Sequence, residues 1–426
     1  MVAVHIDVRL GASATPVGEL IFDATGTRQT SVFTYHRSWI ENSRSFALAP
    51  DMPLSLTPFY RAKEGKDSSL PLPIADSAPD SWGRKVIEKM MGTKYVTDLD
   101  YLTETDDFLR GGALRYFDSE GSRGAALAPP RMQADQVSVP RLHDLEEVIR
   151  QARAFEEDPD DYAARRAKMI GGDLLAEAVG SLGGARPKVN ARAADGSLHI
   201  VKLAKIGDDY AMARAEVLAL RLAGELKINA AQAKVLNTSQ HFPVAVVKRF
   251  DRVGRDFSAR VPFISAQSFM GLTGDGVDSY EGLAMQMRAQ CANAAGQIKE
   301  LYRRMVFGIL IKNTDDHLRN HGFLMGPSGW QLSPAYDINP EHRPGGLMQT
   351  PISEIHGDIP SIETAVDASE YFDVKKLAAE ELAGQMARHI LARWRHIGGS
   401  LGMTSRDFNA VSRSIEHEEM QLASKM

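Results

Sequence analysis

The sequence has a single cysteine, Cys291, in 426 residues. One thiol can form neither an intramolecular disulfide nor a cysteine-based zinc site, and such sparse use is typical of the reducing cytoplasm. No apolar run reaches the roughly 18 residues that a membrane helix needs. The N-terminal MVAVHIDVRLG alternates apolar with polar residues, which predicts a half-buried strand instead of a signal peptide. We therefore expect a cytoplasmic protein without a membrane segment.

The sequence also lacks an excess of basic charge. Its formal net charge is -5 and its pI is about 6.2, so binding of nucleic acid through the overall field is not expected. The arginine-rich stretch QMARHILARWRHIGG could touch phosphates, although a solvated helix face is the simpler interpretation. Association with DNA would therefore need a partner.

With 43% hydrophobic residues, a chain of this length can bury a large core in two or three domains. We place the boundaries at 1–118, 119–252 and 253–426. The first region begins with a strand, a hairpin around DATGT, a strand at VFTY and a helix from Ser81 to Met91. A stretch rich in Gly, Ala, Ser and Pro, residues 118–140, marks its end.

The second region starts with an acidic helix, LHDLEEVIRQARAFEED. A glycine loop follows, and then a strand in SLHIVKLAK, a helix in YAMARAEVLALRLAGEL and a second strand in PVAVVKRF. Beyond about residue 265 the pattern becomes helical. IKELYRRMVFGILI is an amphipathic helix, and the tail from Asp373 to Lys425 reads as two helices separated by IGGSLGMTS. The fold class predicted is α+β, with a mixed first half and a helical second half.

The densest polar cluster is NTDDHLRNHGF, directly after the apolar run MVFGILI. His317 and His321 have the spacing of an H-x-x-x-H zinc pair, but the glutamate of HExxH is missing and Gly322 disfavours a continuous helix. A second interpretation is local, since Asn313, Thr314 and Asp315 are residue types that satisfy backbone groups after a helix.

A third interpretation is phosphoryl transfer, which needs one carboxylate for the attacking hydroxyl and further oxygen ligands for magnesium. Asp315 and Asn320 have the D-x-x-x-x-N spacing of protein kinases. The hairpin signature GFLM-GPSG-WQLS then leads to Tyr336 and Asp337. Asp316 is a rival to Asp315 as the base, and the spacing to Asn320 favours Asp315.

The other parts of a kinase occur upstream in the expected order. Lys202 ends a strand and could contact phosphates, and Glu216 lies mid-helix where it could pair with Lys202. SLGGARPKV offers glycine N–H groups to phosphate oxygens, and Lys248-Arg249-Phe250 follows a buried strand as a hinge would. The series departs from the eukaryotic pattern: GxGxxG is absent, NTD replaces HRD and YDI replaces DFG. GxxxxGK[ST] is absent too, so a P-loop NTPase is excluded.

Together, SLGGARPKV, HIVKLAK, VVKRFDR, NTDDHLRNHGF and LSPAYDI resemble the HipA-type toxin kinases, serine/threonine kinases of bacterial type II toxin-antitoxin pairs. DSAPDSWGRKVI and GALRYF resemble the N-terminal subdomain of that family. The resemblance implies a bilobal protein-kinase-like fold with an extra N-terminal mixed α/β subdomain and a helical C-lobe.

The resemblance also implies roles for single residues. Asp315 would be the catalytic base, Asn320 and Asp337 would bind Mg2+, and Ser181 would be autophosphorylated, which in that family switches the kinase off. The residues that would bind ATP are Gly183, Gly184, Ala185, Arg186, Pro187, Lys188, Lys202, Glu216, Lys248, Arg249, Phe250, His317, Leu318, Arg319, Asn320 and Tyr336. His321 receives no role.

The implied substrate is a protein hydroxyl, for example on an aminoacyl-tRNA synthetase such as that for glutamate, whose phosphorylation stops translation and growth. The implied partner is a helix-turn-helix, HipB-like antitoxin that binds operator DNA, so this chain would reach DNA indirectly. Three alternatives stay open: a catalytically weak regulatory subunit, a small-molecule kinase of related fold, and a zinc hydrolase built on His317 and His321.

Overall fold

The computed structural model describes residues 3–79, 81–92, 95–119, 127, 132–133, 136–137, 139–165, 173–180, 186–239, 241–254, 258–274, 276–340 and 346–426. Within these ranges, every helix is too short or too polar to cross a membrane. The ranges divide into two compact units. The first comprises residues 1–206, 248–264 and 271–274, and the second comprises residues 207–247, 265–270 and 275–426.

The described residues form sixteen strands. They are β1 Val4–Leu10, β2 Thr15–Thr25, β3 Arg28–Tyr35, β4 Phe59–Ala62, β5 Leu114–Asp118, β6 Met132–Gln133, β7 Gln136–Val137, β8 Lys188–Arg192, β9 Leu198–Lys202, β10 Ala233–Leu236, β11 Val244–Lys248, β12 Arg252–Val253, β13 Ala259–Arg260, β14 Phe263–Ser265, β15 Gly322–Gly326 and β16 Gly329–Leu332.

Fifteen α-helices lie in the same ranges. They are α1 Arg37–Ile40, α2 Leu72–Ala75, α3 Ser81–Met91, α4 Asp98–Glu104, α5 Leu145–Glu157, α6 Pro159–Arg165, α7 Leu174–Ala178, α8 Met212–Glu225, α9 Ala266–Phe269, α10 Tyr280–Gln290, α11 Ala294–Leu310, α12 Ile362–Asp367, α13 Lys376–Ser400, α14 Ser405–Ile415 and α15 Glu418–Ser424. Short 3-10 helices occur at Leu142–Asp144, Leu318–Asn320 and Ala368–Phe372.

The first unit begins with an antiparallel sheet in the order β4-β3-β2-β1-β5. Alternation in β1 places Ile6 and Val8 in a fully buried core with residues of β2 and β3, as the period-2 pattern predicts. β2 and β3 form the predicted hairpin, and its turn uses Gly26 at φ 62°. α3 spans the residues that the sequence predicts, and the predicted acidic helix is present as α5.

Later in the first unit, β8 and β9 form an antiparallel hairpin in which Lys188 lies opposite Lys202. In the second unit, the predicted helix in YAMARAEVLALRLAGEL is α8, and the predicted amphipathic helix after it is α11. The buried residues of α11 include Ile298, Leu301 and Met305 at helical spacing. The GPSG turn joins β15 to β16, as predicted.

The prediction of two helices in the tail is wrong, because α13 continues through Ile397-Gly398-Gly399-Ser400 and two further helices, α14 and α15, follow it. A Cβ on Gly398 would come within 2.8 Å of the Phe408 ring, so this glycine serves close packing inside the helix. After α13 ends at Ser400, Gly402 turns the chain away from the helix at φ 74°, and the Met403 N–H is bonded to the Gly398 carbonyl at 3.0 Å. This is a Schellman cap.

Candidate active site

The polar segment 313–321, called loop 313–321 below, begins where α11 ends. Lys312 has φ 53°, and the Asn313 N–H bonds the Gly308 carbonyl at 2.8 Å, so backbone groups satisfy the helix end. The Asn313 side chain instead accepts a hydrogen bond at 3.0 Å from the N–H of Asn339, two residues after Asp337. Asn313 therefore ties loop 313–321 to the segment that carries Asp337.

Loop 313–321 carries two adjacent aspartates in opposite environments. Asp315 is exposed, and its Oδ1 accepts a hydrogen bond from the Gln349 side-chain amide. Asp316 is only 6% exposed, and its Oδ2 accepts from the Tyr280 hydroxyl and lies 3.3 Å from Nε2 of His321. A carboxylate that must receive a proton from an incoming hydroxyl has to be reachable, which favours Asp315 over its rival as the base.

The buried aspartate is kept ionised by its neighbours. Burial raises the pKa of the Asp316 carboxyl, but the His321 imidazole and the Tyr280 hydroxyl outweigh burial and hold that pKa below its usual range. Burial, together with the same carboxylate, raises the pKa of Tyr280 well above its ordinary value, so the phenol stays protonated as the donor. Asp316 therefore stabilises loop 313–321 from inside.

Two other side chains, Asn320 and Asp337, carry oxygen atoms of the kind that a divalent cation binds. Asn320 donates through Nδ2 to the Asp315 carbonyl at 2.9 Å, which leaves its amide oxygen for a ligand. Asp337, at φ 55°, has its Oδ1 fixed by Nδ2 of Asn339 at 3.0 Å. Amide and carboxylate oxygens are hard donors of the type that Mg2+ prefers. The donor set thus fits magnesium, with a strained backbone at Asp337, as functional residues often have.

The two histidines do not form a zinc pair on one helix face. His317 precedes a single 3-10 turn, Leu318–Asn320, and His321 follows it with extended backbone. His321 faces Asp316, and its carbonyl accepts from the Ala266 N–H at 2.8 Å. Nδ1 of His317 is buried and has no hydrogen-bond partner among the described residues. The described residues contain no cluster of three or more His, Cys, Asp or Glu suited to a metal.

Three further residues that the sequence predicts to contact the nucleotide, Leu318, Arg319 and Tyr336, lie in loop 313–321 or against it. The Tyr336 hydroxyl donates to the Arg319 carbonyl at 2.8 Å, Leu318 is buried and the Arg319 side chain is exposed. The second unit thus brings together Asp315, His317, Leu318, Arg319, Asn320, Tyr336 and Asp337. Glu216 is buried in α8, and its pairing with Lys202 stays a prediction.

In the first unit, Lys188 and Lys202 are cross-strand partners, and the Leu203 N–H bonds the Pro187 carbonyl at 2.9 Å. Directly opposite residues of an antiparallel pair project from the same face, so the side chains of Lys188 and Lys202 leave the same face of the hairpin. Lysine is a residue type that binds the phosphates of nucleotides. Ser181, Gly183, Gly184 and Ala185 lie outside the described residues.

Lys248 ends β11, and the predicted hinge Lys248-Arg249-Phe250 continues into a group of buried charges. The Arg249 guanidinium is bonded to Asp251 at 2.7 and 2.9 Å, to Asn190 Oδ1 at 2.9 Å and to the Leu109 carbonyl at 2.8 Å. A nucleotide contact of Arg249, which stays a prediction, would therefore involve its backbone. The Phe250 ring is tilted against Phe263 at 6.0 Å.

These charges form one buried set within the first unit, called the Arg–Asp network below. Its members are Asp107, Arg110, Arg115, Arg249, Asp251, Arg252 and Arg260. Five arginines face two carboxylates, and backbone carbonyls of residues 102–112 accept further hydrogen bonds from Arg110, Arg249 and Arg252. Although burial raises the pKa of Asp251, Arg249 and Arg252 hold it far below its usual range.

Sequence reasoning missed the side chains that support the site. Tyr280, Gln349 and Asn339 contact Asp316, Asp315 and Asp337, and Arg304 of α11 is buried with its guanidinium on the Ser333 carbonyl at 2.9 Å. Tyr280 and Gln349 are 36 and 34 residues from their partners. No spacing rule reaches so far along a chain, so the sequence held no signal for them.

Two models of known protein families match the chain. A model of the HipA N-terminal domain matches residues 7–114, and a model of the HipA-like C-terminal domain matches residues 180–394. The first match covers β2 to β4 and most of β1, and the second covers both groups of site residues.

Two curated proteins are similar in sequence. The serine/threonine-protein kinase toxin HipA of Shewanella oneidensis is 25% identical over 353 residues, which cover 76% of this chain and 72% of that protein. Toxin YjjJ of Escherichia coli is 27% identical over 198 residues, which cover 43% of this chain and 44% of that toxin.

Among solved structures, the Shewanella oneidensis toxin-antitoxin complex of HipA, HipB and operator DNA contains a chain with a TM-score of 0.69 to this one, at 16% identity. The match covers 99% of this chain and 96% of that one, so the two share a fold, and the predicted α+β kinase-like class is confirmed. The chain belongs to the HipA family of serine/threonine-protein kinase toxins.

Proposed function

We propose that the chain transfers the γ-phosphate of ATP to a serine or threonine hydroxyl of another protein, with Mg2+ as cofactor. The observation that carries the proposal is the structure of loop 313–321. Its exposed carboxylate, Asp315, and the amide of Asn320 are five residues apart in sequence, and a hydrogen bond from Nδ2 of Asn320 to the Asp315 carbonyl joins the two residues. Asp337, tied to the same loop through Asn339 and Asn313, completes the set of oxygen donors.

In this mechanism Asp315 accepts the proton of the acceptor hydroxyl as its oxygen attacks the γ-phosphorus. The bond from that phosphorus to the β–γ bridging oxygen breaks, and ADP leaves. Asn320 and Asp337 would hold the magnesium ion, which neutralises charge on the phosphates when bound. Lys188 and Lys202 would contact phosphate oxygens, and the backbone of Lys248 to Phe250 would hold the adenine. His317 Nδ1, buried without a partner among the described residues, suits a nucleotide acceptor through a proton on that nitrogen.

The resemblance adds a regulatory site. Ser181 precedes the glycines of the phosphate loop, and a phosphate there would add nearly two negative charges next to the phosphates of ATP. Repulsion would keep nucleotide out, so autophosphorylation at Ser181 would inactivate the kinase. Arg186 is a candidate to bind that phosphate.

The resemblance also suggests a cellular role. We propose that this chain acts in the cytoplasm as the toxin of a toxin-antitoxin pair, with an aminoacyl-tRNA synthetase as substrate and arrest of growth as outcome. The Shewanella protein of the same fold was solved with HipB and operator DNA. A HipB-like antitoxin would supply the DNA contacts that a chain of net charge -5 lacks, and would regulate transcription of the pair.

The test is incubation of the dephosphorylated chain with labelled ATP and Mg2+, followed by phosphopeptide mapping. We expect label on Ser181 and none on a Ser181→Ala variant. Asp337→Ala should lose transfer and the magnesium-dependent part of ATP binding. Absence of label in the wild type, with nucleotide binding intact, would refute the proposed activity. Phosphoproteomics after brief expression, with Asp337→Ala as control, would name the substrate.

A further inference from the structure

The segment 346–353 runs along loop 313–321 and contacts both of its aspartates. The Gln349 N–H bonds the Thr314 carbonyl at 3.0 Å, and the Gln349 side-chain amide donates to Oδ1 of Asp315. On the next residue, the Thr350 hydroxyl donates to the Asp316 carbonyl at 2.6 Å. Two successive side chains therefore reach two successive aspartates.

This segment is fixed independently of those contacts. The Met348 N–H bonds the Asp358 carbonyl at 2.8 Å, and the Pro351 carbonyl accepts from the Tyr280 N–H at 2.9 Å. Met348 and Ile352 are buried, while Gln349 between them is exposed. An exposed glutamine on a mobile loop would lose much side-chain entropy on forming one hydrogen bond. A backbone fixed on both sides lowers the entropic cost of ordering this side chain.

The chemistry of an amide donor suits a general base. Gln349 carries no charge and does not titrate, so it cannot take the proton that Asp315 must receive. Its N–H stabilises the ionised carboxylate and restricts the carboxyl group to one orientation. A lysine in that place would hold the carboxylate more strongly and weaken it as a base, because a nearby positive charge favours the ionised form.

We propose that Gln349 is a positioning residue for phosphoryl transfer, holding the Asp315 carboxylate in the orientation in which it accepts the proton of the acceptor hydroxyl. This inference rests on the proposed function. It goes beyond that function, because it gives the segment 346–353 a part in orienting the base that receives the proton of the acceptor hydroxyl. A surface hydrogen bond without a catalytic role would leave the rate of transfer unchanged.

The test uses two variants with matched controls. Gln349→Met keeps the length and removes the donor, and Gln349→Glu puts a second carboxylate beside Asp315. Gln385, exposed on α13 and bonded to Glu381, supplies the controls Gln385→Met and Gln385→Glu. The measurement is the single-turnover rate of label transfer from ATP to the chain between about pH 5.5 and 8.5, and the KM for ATP.

For Gln349→Met we expect transfer to slow by about tenfold, the effect of losing one hydrogen bond to a charged group, with the KM for ATP unchanged. For Gln349→Glu the acid limb of the pH profile should move to higher pH, because two adjacent carboxylates share a proton. A merely structural role would lower the melting temperature without moving the pH profile. Wild-type rates and profile in both variants would overturn the inference.

A second measurement does not depend on activity. Carbodiimide-driven labelling of carboxylates with glycine ethyl ester, read by mass spectrometry, should modify Asp315 faster in Gln349→Met than in the wild type and leave Asp316 unlabelled in both. Equal labelling of Asp315 would show that the contact is absent and would overturn the inference. Faster labelling in a protein whose wild type transfers no phosphate would instead mean that the proposed function alone has failed.

Discussion

The Arg–Asp network of the first unit and loop 313–321 of the second unit are both rich in charge, and they use it in opposite ways. In the network, Asp251 is 6% exposed and is bonded by Arg249, Arg252 and the Gly112 N–H. In loop 313–321, Asp315 is exposed and accepts a hydrogen bond from the neutral amide of Gln349.

The difference teaches how to assign a carboxylate from its surroundings. A buried carboxylate among arginines is locked in its charged form, because protonation would leave the cations unpaired, and it can only support structure. An exposed carboxylate held by a neutral donor can exchange a proton with a substrate. Three of the four variants below test this distinction, and the four are taken in order of decreasing effect.

Asp315→Asn should reduce phosphate transfer by about a thousandfold, since it removes the proposed general base and replaces one oxygen atom by nitrogen. The free energy of unfolding should change by less than about 0.5 kcal/mol, because the side chain is exposed. Label incorporation and urea unfolding measure the two effects. A large loss of stability would place Asp315 with the structural carboxylates and break the comparison.

Asp251→Asn should lower the free energy of unfolding by about 3 kcal/mol or more, because two buried guanidinium groups lose their counterion. Urea unfolding followed by circular dichroism measures it. The control is Asp367→Asn, which breaks an exposed pair with Lys376 and should have no measurable effect. If both substitutions behave alike, the network does not hold the first unit together.

Asp316→Asn sharpens the comparison, since Asp316 lies next to the proposed base but is buried like Asp251. The unfolding free energy should fall by about 1–3 kcal/mol, as the Tyr280 hydroxyl and His321 lose their ionised acceptor. Transfer should slow far less than in Asp315→Asn. A complete loss of transfer with normal stability would make Asp316 the base instead.

The smallest effect concerns His417, whose Nε2 donates to the Leu310 carbonyl at 2.9 Å at the end of α11. Burial, opposed by that bond, holds the pKa of His417 below its usual value. Because the folded pKa is depressed, protonation favours the unfolded chain. Stability present above about pH 6.5 should therefore fall by up to about 1 kcal/mol on acidification to pH 5.

His417→Asn keeps a side chain that can cap α15 and removes the titrating group. The wild type should therefore show a steeper fall in unfolding free energy between pH 7 and 5 than the variant, measured by urea unfolding at each pH. Parallel curves for the two proteins would show that His417 does not contribute to the pH dependence.

Much of the fold could be predicted, where local pattern decides. The alternation in β1, the stripe on α11 and the turn residues between β15 and β16 each act over a few residues, and the structure confirms all three. The tail was predicted less well, because Gly398 looks like a helix end in sequence. Its packing against Phe408 is a contact that local propensity does not encode.

For the candidate site, the sequence by itself determined the ordered series of residue types: the lysines of β8 and β9, the D-x-x-x-x-N loop, the hairpin and Asp337. Only the tertiary structure decided which of the two adjacent aspartates, Asp315 and Asp316, is exposed and which is buried. Tyr280 buries and binds one, and Gln349 leaves the other exposed. Both partners, Tyr280 and Gln349, come from distant segments of the chain. Whether a side chain is buried depends on the surfaces that pack against it, so neighbouring residues in the sequence do not predict it.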